Sequence, residues 1–533
     1  MKKIFIRLLI TFVVGLLTYY VTLPAINLHY FGFYLFVCFI IIVFKLSGII
    51  SLPDKIIKIS SAKRIDFKNI IKSSIVYMIM AAVFVLIFIG DLVYSPLIMH
   101  NKYASRIVVK EDKSFEDNIH EVDFEMLPLL DKESSSKLGD RVMGQMSELV
   151  SQFEVSSQYT QINYNNKIVR VTPLEYASEI KWLTNRKEGI KGYITVNSVD
   201  GSSELIKLEK GMKYMPSAMF NENLYRKLRF NHPTKIFGKI SFEIDNDGNP
   251  YWIVPTMTYK VVGLLSEVEG VIIFNPIDGT SKYYKVSEVP KWVDQVYDAN
   301  LITEQFNDYG MYKNGFFNSI FGQKGVVQTT DGYNYMIQDD DVYLYTGVTS
   351  INSDESNIGF IITNLRTKET NFYNVPGAEE YSAMESAKGQ VQQMNYNSTF
   401  PLLINLNSRP TYLISLKDKA GLVKMYAFVD VQDYQKVVVT DSSLGINEAA
   451  RNYLTNVDIK GNKDVNVKKE ITVKSINSAT IDGISYYYIV DTDDQKYKAS
   501  IKLNDNLPFV RQNDKLNIKY IKEKNIIDII SIE

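Results

Sequence analysis

The residues best placed for chemistry are two short clusters of carboxylates. Asp245–Gly248 (DNDG) begins like a calcium-binding loop, but such a loop needs a carboxylate at its twelfth position, where this chain has Thr256. Asp339–Asp341 (DDD) lies between two strand-like runs. Because successive side chains of a strand point to opposite faces, these three carboxylates cannot converge on one ion. Both clusters are therefore interpreted as solvated turns, and no metal site is predicted.

The side chains used in covalent catalysis are too scattered to form a recognisable site. A Ser-His-Asp arrangement needs a histidine close to its serine, and the only histidine beyond residue 120 is His232, which precedes Pro233. The single cysteine, Cys38, lies in an apolar run, which excludes an internal disulfide and a thiolate metal cluster. No glycine-rich phosphate loop occurs. We therefore predict no catalytic residue and no cofactor.

Aromatic side chains form the candidate binding surface. Exposed aromatic rings anchor interfaces, and between residues 310 and 325 they alternate with Gly, Asn and Lys. Packing of these rings in the core is the alternative interpretation. The candidate residues are Tyr251, Trp252, Trp292, Tyr309, Tyr312, Phe316 and Phe317.

Three apolar runs open the chain, over about 4–20, 30–50 and 75–99. A helix needs roughly 20 apolar residues to cross a bilayer core, so each run is long enough once its flanking residues are included. A cleaved signal peptide over residues 1–25 is the alternative for the first run. Asp91, near the end of the third run, is expected at the outer membrane interface rather than as an intramembrane functional acid.

Basic residues predict the orientation of these helices. Lys2, Lys3 and Arg7 precede or open the first run, whereas the link over 24–29 has no Lys or Arg. The link over 53–72 carries six basic residues. Because short basic loops stay in the cytoplasm, the N-terminus and this loop are predicted inside. Everything beyond about residue 100 is then outside.

Composition narrows the class of protein further. The chain has 533 residues, of which 46% are hydrophobic, and a net charge of -1. A nucleic-acid-binding protein normally carries a basic excess, so no nucleic-acid partner is expected. A large exported domain without disulfides is more typical of a Gram-positive bacterium than of an animal secretory pathway.

A repeated pattern dominates the outer part of the chain. Gly192 opens GYITVNSVDGSSELIKL, Gly270 opens GVIIFNPIDGTSKYYKV, and Gly359 opens GFIITNLRTKETNFYNV. The first two copies share seven identities over 17 aligned positions, and a weaker fourth copy starts at Gly421. Each copy predicts a β-hairpin, whose tight turn is supplied by Asp-Gly in the first two copies. The third copy has Thr367-Lys368 at that place.

Helices are predicted between the hairpins. Thr172–Glu175 (TPLE) predicts a helix start, with Thr as N-cap and Pro at the first helical position. Ala177, Ile180 and Leu183 would then face inward. Further helices are predicted over 221–229, 299–307 and 378–393, and strands over 240–244 and 251–255.

The order of a helix, two or three strands and a closing hairpin resembles PepSY-type domains, small α+β units in which a helix lies across an antiparallel sheet. This resemblance implies a binding, inhibitory or scaffolding module outside the membrane. In the tail, short strand-like runs and a turn at Asp482-Gly483 predict a small β-barrel similar to an OB-fold. The whole layout resembles membrane-anchored envelope proteins of Gram-positive bacteria.

The predicted fold class is α+β. It comprises three transmembrane helices over 1–99 with a cytoplasmic basic loop over 53–72, a linker and helix over 100–164, tandem helix-on-sheet units over 165–455, and the barrel over 462–533. We predict a multi-pass, membrane-tethered, extracytoplasmic binding or scaffold protein of the bacterial cell envelope. Its expected partners are the lipid bilayer and either another envelope protein or a cell-wall polymer. Two alternatives stay open: a cell-wall-acting enzyme that uses carboxylates the sequence cannot place, and a membrane sensor.

Overall fold

The computed structural model describes residues 2–50, 67–351, 356–457, 467–481, 484–520 and 527–532. Most of the predicted basic loop over 53–72 lies outside these residues, as does the predicted turn at Asp482-Gly483.

Apolar helices form the N-terminal part of the chain. They are α1 (Lys2–Thr22), α2 (Phe31–Ile50), α3 (Phe67–Val93) and α4 (Pro96–Ala104). Within the described residues, the stretch Ile4–Thr22 is the one helix long and apolar enough to cross a membrane alone. Phe31–Ser47 is apolar but shorter, and Tyr77–Val93 reaches spanning length only together with α4, from which it is bent by 61°. The bend falls at Pro96, whose ring cannot continue the helix before it.

Four consecutive units of similar element order follow. Each has a helix, two short strands, a long strand and a hairpin. Before the first unit lie β1 (Val109–Lys113) and α5 (Phe115–Asn118). Unit 1 contains α6 (Lys132–Gly144), α7 (Ser147–Val150), β2 (Phe153–Val155), β3 (Thr160–Tyr164), β4 (Lys167–Tyr176), α8 (Glu179–Asn185), β5 (Ile190–Asn197) and β6 (Ser203–Met212). Unit 2 contains α9 (Leu224–Asn231), β7 (Ile236–Phe237), β8 (Ser241–Ile244), β9 (Pro250–Thr258), β10 (Glu267–Phe274) and β11 (Ser281–Lys285).

The other two units repeat the pattern. Unit 3 contains α10 (Ala299–Tyr312), β12 (Val327–Thr329), β13 (Asn334–Gln338), β14 (Asp341–Ser350), β15 (Ser356–Asn357), β16 (Gly359–Asn364) and β17 (Thr370–Tyr373). β18 (Gly377–Ala378) pairs with β15. Unit 4 contains α11 (Glu380–Gly389), β19 (Asn397–Ser398), β20 (Leu402–Asn405), β21 (Pro410–Lys417), β22 (Val423–Asp430) and β23 (Val437–Asp441), and α12 (Ile446–Asn456) follows it.

In every unit the long strand is an interior strand of the sheet. β4, β9, β14 and β21 pair on one side with both short strands and on the other side with the hairpin. The hairpins predicted from the repeat are confirmed in all four units. Gly201 and Gly279 have positive φ angles of 77° and 76° in their turns, whereas Lys368 adopts 65° in the third. Glycine reaches this conformation without a Cβ clash, so the Asp-Gly turns are less strained than the Thr367-Lys368 turn.

The four sheets stack face to face, as the blades of a propeller do. Trp252 packs in the core between units 1 and 2, whereas its neighbour Ile253 packs in the core between units 2 and 3. Leu344 and Tyr345 divide in the same way between the cores on the two faces of unit 3. Because successive residues of a strand point to opposite faces, the long strands of units 2 and 3 are buried on both sides along most of their length.

The segment before α6 closes the arrangement between units 4 and 1. Leu129 accepts a hydrogen bond from Ser415 of unit 4 (3.1 Å), and the Leu130 N–H donates to Ser198 of unit 1 (2.9 Å). Residues 100–164, predicted as a linker and a helix, hold the helix α6, the short strands of unit 1, and β1, which extends the sheet of unit 3 by pairing parallel to β17. The first unit thus starts well before residue 165.

The prediction that a helix begins at Thr172–Glu175 is wrong. These residues lie in β4, where Leu174 and Glu175 pair with β2 and Thr172 and Pro173 pair with β5. The helix starts later, at α8, where Ser178 is the N-cap, and it exposes Ile180 and Leu183 while burying Trp182. Local capping preferences are weaker than the pairing of a central strand on both edges, which decides the conformation. The helices predicted near 221–229, 299–307 and 378–393 are confirmed as α9, α10 and α11.

The tail forms a closed five-stranded barrel. Its strands are β24 (Val467–Ile481), β25 (Ile484–Asp491), β26 (Lys496–Ser500), β27 (Lys515–Tyr520) and β28 (Ile527–Ile532). The strand order is β24-β25-β26-β28-β27, closed by β27 against β24, and the β26–β28 pair is parallel. Ile471, Val473 and Ile489 fill its core. The predicted small barrel is confirmed.

Candidate functional site: the central cavity

A cavity of about 470 Å³ lies where the four units meet. The second short strand of each unit, β3, β8, β13 or β20, contributes at least one residue to its wall. The lining includes Gln161 and Arg170 from unit 1, Ser241 from unit 2, Tyr335 from unit 3, and Phe400 and Leu402 from unit 4. A ligand held there would touch all four units, and the volume is that of an ordinary small-molecule site.

Arg170 and Gln161 are the buried polar residues of this wall. They stand opposite each other in the β3–β4 register, so their side chains share one face of the sheet. Arg170 is 6% exposed and Gln161 is 2% exposed. Among the described residues, neither the Arg170 Nε nor the side-chain oxygen and nitrogen of Gln161 has a hydrogen-bond partner. Burial lowers the pKa of Arg170 to about 10, opposed by the nearby Tyr335 and Asp131.

The carboxylates that line the cavity already have cationic partners. Asp131 accepts a hydrogen bond from Lys417 (2.6 Å) and caps α6 through the Ser134 N–H (2.9 Å). Asp298 pairs with Lys239 (2.7 Å) and caps α10. Lys132, also in the lining, has its pKa lowered first by burial and then by the charges of Lys239 and Arg170. The cavity wall is therefore electropositive around Arg170.

A buried carboxyl pair supports the wall from behind. Glu243 accepts hydrogen bonds from the backbone N–H groups of Asp294 (2.9 Å) and Gln295 (3.1 Å), and Asp294 accepts one from the Asn163 N–H (2.8 Å). Burial raises the pKa of Glu243 to about 7. Burial, together with the charge of Glu243, raises that of Asp294 well above its usual value. The pair joins units 1 and 2 to the loop that carries Gln295 into the cavity.

Two other hollows have no buried, unpaired cation among the described residues that line them. One of about 330 Å³ lies at the opposite end of the inner strands and is lined by acidic residues, including Glu121, Asp339 and Asp340. In its wall, the Asn163 side chain of unit 1 donates a hydrogen bond to Asp340 of unit 3 (2.8 Å). Another, of about 750 Å³, runs between the unit 1 hairpin and the turn at 247–249. There the Tyr193 hydroxyl donates to the Gly248 carbonyl (2.8 Å).

The structure divides the predicted aromatic residues into two groups. Trp252 is fully buried and donates its indole N–H to Tyr214, so it cannot meet a partner. Tyr251 and Trp292 pack on each other (5.1 Å between centroids) beside the core between units 2 and 3. The other four lie together at the end of α10 and just beyond it, and they are Tyr309, Tyr312, Phe316 and Phe317.

That second group ends in an exposed patch. Phe317 is 67% exposed and Phe321, which stacks with it, is 79% exposed. Tyr312 packs edge-on against Tyr103 at the end of α4 (5.9 Å). The patch therefore continues from the apolar N-terminal helices.

Asp245–Gly248 and the first two residues of Asp339–Asp341 adopt turns, as predicted, whereas Asp341 is a buried residue of β14. Asp245 accepts hydrogen bonds from the backbone N–H groups of Asp247 (3.0 Å) and Asn249 (2.8 Å) within its own turn. Asp339 and Asp340 have positive φ angles in the turn between β13 and β14, and Asp341 pairs with Arg366. His232 contacts Ser281.

Arg170 and Gln161 were not predicted as site residues, although the sequence holds one signal for them. Arg170 interrupts the apolar run Ile168-Val169-Arg170-Val171, which is unusual for a strand buried on both faces. That the face carrying Arg170 meets three other units is decided by the stacking of distant sheets.

Comparisons with known proteins give no family. No protein-family model and no curated protein matches the chain. Among solved structures, a Trypanosoma rangeli sialidase in complex with 2,3-difluorosialic acid is similar at 7% identity and a TM-score of 0.16, over 71% of this chain and 53% of that one. The chain thus spans about half the length of that sialidase. A likeness this weak carries no argument about fold or function.

Proposed function

We propose that this chain is a membrane-tethered, extracytoplasmic binding protein of a bacterial cell envelope, which holds its ligand in the central cavity. One observation carries the proposal: the inner strands of four units surround a cavity in whose wall the buried Arg170 Nε and Gln161 side chain have no hydrogen-bond partner within the described residues. Such groups are costly unless something pairs with them. The ligand belongs to another envelope protein or to a cell-wall polymer.

Tight contacts between the apolar helices and unit 2 support the tether. In the link between α1 and α2, the Ile26 N–H donates to the Pro233 carbonyl (2.8 Å) and Asn27 donates to the Thr234 carbonyl (3.0 Å). Arg226 donates to the Tyr20 carbonyl (3.0 Å) at the end of α1. The charge pattern favours three passes with the four units outside, and these contacts require unit 2 to lie beside that link.

Two finer features of the fold belong to this proposal. The element order of the four units supports a PepSY-like origin, although the stacking of sheets on both faces is not a feature of a single helix-on-sheet unit. The order of the barrel strands, with its parallel closing pair, supports an OB-like barrel.

A cell-wall hydrolase is the weaker interpretation. It needs two carboxylates free to face a substrate bond. Asp131 and Asp298, which line the cavity, are each held by a lysine and a helix N-terminus. We therefore propose binding without catalysis.

Single-cysteine labelling tests the tether and its orientation. In a Cys38→Ser background, Lys291→Cys lies on exposed surface of unit 2, and Ser60→Cys lies in the basic loop. A membrane-impermeant maleimide should label position 291 on intact cells and position 60 only after lysis. Equal labelling of both positions on intact cells would contradict the proposed orientation.

Site-specific photocrosslinking tests the cavity as the binding site. A photoreactive residue replacing Phe400, in the cavity wall, should capture the same wall fragment or envelope protein in repeated preparations from native membranes. A photoreactive residue replacing Phe509, on the exposed surface of the barrel, is the matched control. Identical capture at both positions, or none at position 400, would argue against the cavity.

A further inference from the structure

We propose that the central cavity binds an anionic saccharide or polyol group, whose phosphate or carboxylate pairs with Arg170 and Lys132 while Gln161 bonds a neighbouring hydroxyl. This inference rests on the proposed binding function and specifies the chemistry of its ligand.

Arg170 is a buried cation without an ion-pair partner among the described residues. It is nine-tenths buried, its Nε has no hydrogen-bond partner, and the nearby Asp131 already pairs with Lys417. Arg229, which is equally buried, donates instead to the four carbonyls of Leu23, His232, Pro233 and Lys235. A structural arginine is satisfied in this way, whereas a guanidinium left open in a cavity matches phosphate or carboxylate.

Cations outnumber carboxylates in the cavity wall around Arg170. Arg170, Lys132 and Lys239 line the cavity with Asp131 and Asp298. Asp131 is held by Lys417 and Asp298 by Lys239. Within the described chain, neither Arg170 nor Lys132 forms an ion pair with an acidic residue, and repulsion from Arg170 contributes to the lowered pKa of Lys132. A bound anion would relieve this repulsion.

The rest of the cavity wall is aromatic and polar. Tyr333, Tyr335 and Phe400 give it flat apolar surfaces, and neither polar atom of the Gln161 side chain has a hydrogen-bond partner among the described residues. Rings beside a few placed polar groups suit a ligand with an apolar face and hydroxyls. An inorganic ion alone would leave Gln161 unsatisfied.

Binding of defined probes to the purified full-length protein tests this assignment. Inorganic phosphate, glycerol phosphate and glucuronate are titrated by calorimetry, with glucose as the neutral probe. Glycerol phosphate or glucuronate should bind more tightly than inorganic phosphate, and glucose should not bind. Affinity should fall as salt is raised, because the pairing is ionic. Phosphate-only binding would mean an adventitious ion site and would overturn the proposal.

Arg170→Met and Arg186→Gln separate a ligand role from a structural role. Arg170→Met should weaken binding roughly a hundredfold, the usual effect of truncating one partner of a buried charge pair. The same variant should keep or raise the melting temperature of the ligand-free protein. Arg186→Gln removes a half-exposed arginine that is paired with Glu222 and should leave binding unchanged. Unaltered binding in Arg170→Met, or its unfolding, would overturn the proposal, while the labelling and crosslinking above would still test the proposed function.

A second proposal follows from apolar side chains exposed around the ends of the membrane helices. We infer that this face of the four-unit domain lies in the outer interfacial region of the bilayer. Tyr20 of α1 packs against Phe230 and donates to Asn221 (3.2 Å). Beside them, Phe220 packs on Trp182 of α8. The exposed apolar residues here are Ile180, Leu183, Phe220 and Phe230.

The same face continues on the other side of the helices. α4 exposes Leu97 and Ile98 and, through Tyr103, adjoins the patch of Phe317, Ile320 and Phe321. Both groups lie next to helices proposed to enter the membrane, so lipid is the occupant that the connection favours. Aromatic rings are enriched at this depth of a bilayer.

Spin labels in lipid nanodiscs test this seating. In a Cys38→Ser background, Leu183→Cys and Phe321→Cys should be relaxed more by oxygen than by a water-soluble nickel complex. Phe509→Cys, on the exposed barrel, should show the reverse. Nickel-dominated relaxation at positions 183 and 321 would overturn the proposed contact, whatever the cavity binds.

Discussion

Arg170 and Arg229 have the same exposure, 6%, and opposite surroundings. Arg229 joins unit 2 to the link between α1 and α2, and its donors meet backbone carbonyls on both sides of that contact. Arg170 lies in the cavity, with an unpaired Nε and the unpaired side chain of Gln161 opposite. Burial alone therefore does not tell a structural charge from a ligand-binding one. The difference is whether the fold itself provides the partner.

The largest effect is expected where the fold provides that partner. Arg229→Met removes the guanidinium that donates to the carbonyls of Leu23, His232, Pro233 and Lys235, and it should lower the free energy of unfolding by about 3 kcal/mol. Chemical denaturation of the detergent-solubilised protein measures this change. If Arg229→Met were neutral, the contact between unit 2 and the membrane helices would contribute little to stability.

A smaller effect is expected for the carboxyl pair behind the cavity. The folded-state pKa of Glu243, about 7, lies above its unfolded value, so its contribution to stability is fully present below the unfolded pKa and is lost as pH rises through the folded one. The same sign applies to Asp294. The wild type should lose roughly 2 kcal/mol between pH 5 and pH 8 from this pair.

Asp294→Asn tests this origin, since its side-chain oxygen can still accept from the Asn163 N–H. The variant should flatten the decline measured by denaturation across that pH range. Asp200→Asn, in an exposed hairpin turn, is the control and should keep the wild-type slope. An unchanged slope in Asp294→Asn would place the pH dependence elsewhere.

Arg170→Met should move stability in the opposite direction from Arg229→Met. Replacing an unpaired buried charge by an apolar side chain of similar length should stabilise the ligand-free protein by about 1 kcal/mol. The melting temperature without and with glycerol phosphate measures this change. A fall as large as that of Arg229→Met would make Arg170 a structural residue.

The smallest effect is expected at the surface. Arg186 pairs with Glu222 (3.1 Å) and lies over the Trp182 ring, but its side chain is half exposed. Arg186→Gln should change the free energy of unfolding by less than about 1 kcal/mol. A larger change would show that pairing matters for arginines irrespective of burial.

The repeat and the turns were accessible from sequence because they depend on neighbours in the chain. The alternation of apolar residues and the Asp200-Gly201 turn predicted a hairpin that the structure contains. The helices predicted over 221–229 and 299–307 are present as α9 and α10. The capping signal at Thr172–Glu175 misplaced the start of α8, since these residues lie in a strand paired on both edges. The aromatic residues chosen as a binding surface include the fully buried Trp252.

By itself, the sequence determined the apolar N-terminal helix, the four hairpins and the closing barrel, because these depend on local periodicity and turn chemistry. Only the tertiary structure decided that four sheets stack around a cavity, that residues 128–131 close the arrangement, and that Arg170 faces the centre. Those facts depend on contacts between residues hundreds of positions apart, such as Lys417 with Asp131. Side-chain alternation shows that a strand has two faces, but which partner covers each face is set by how distant sheets pack.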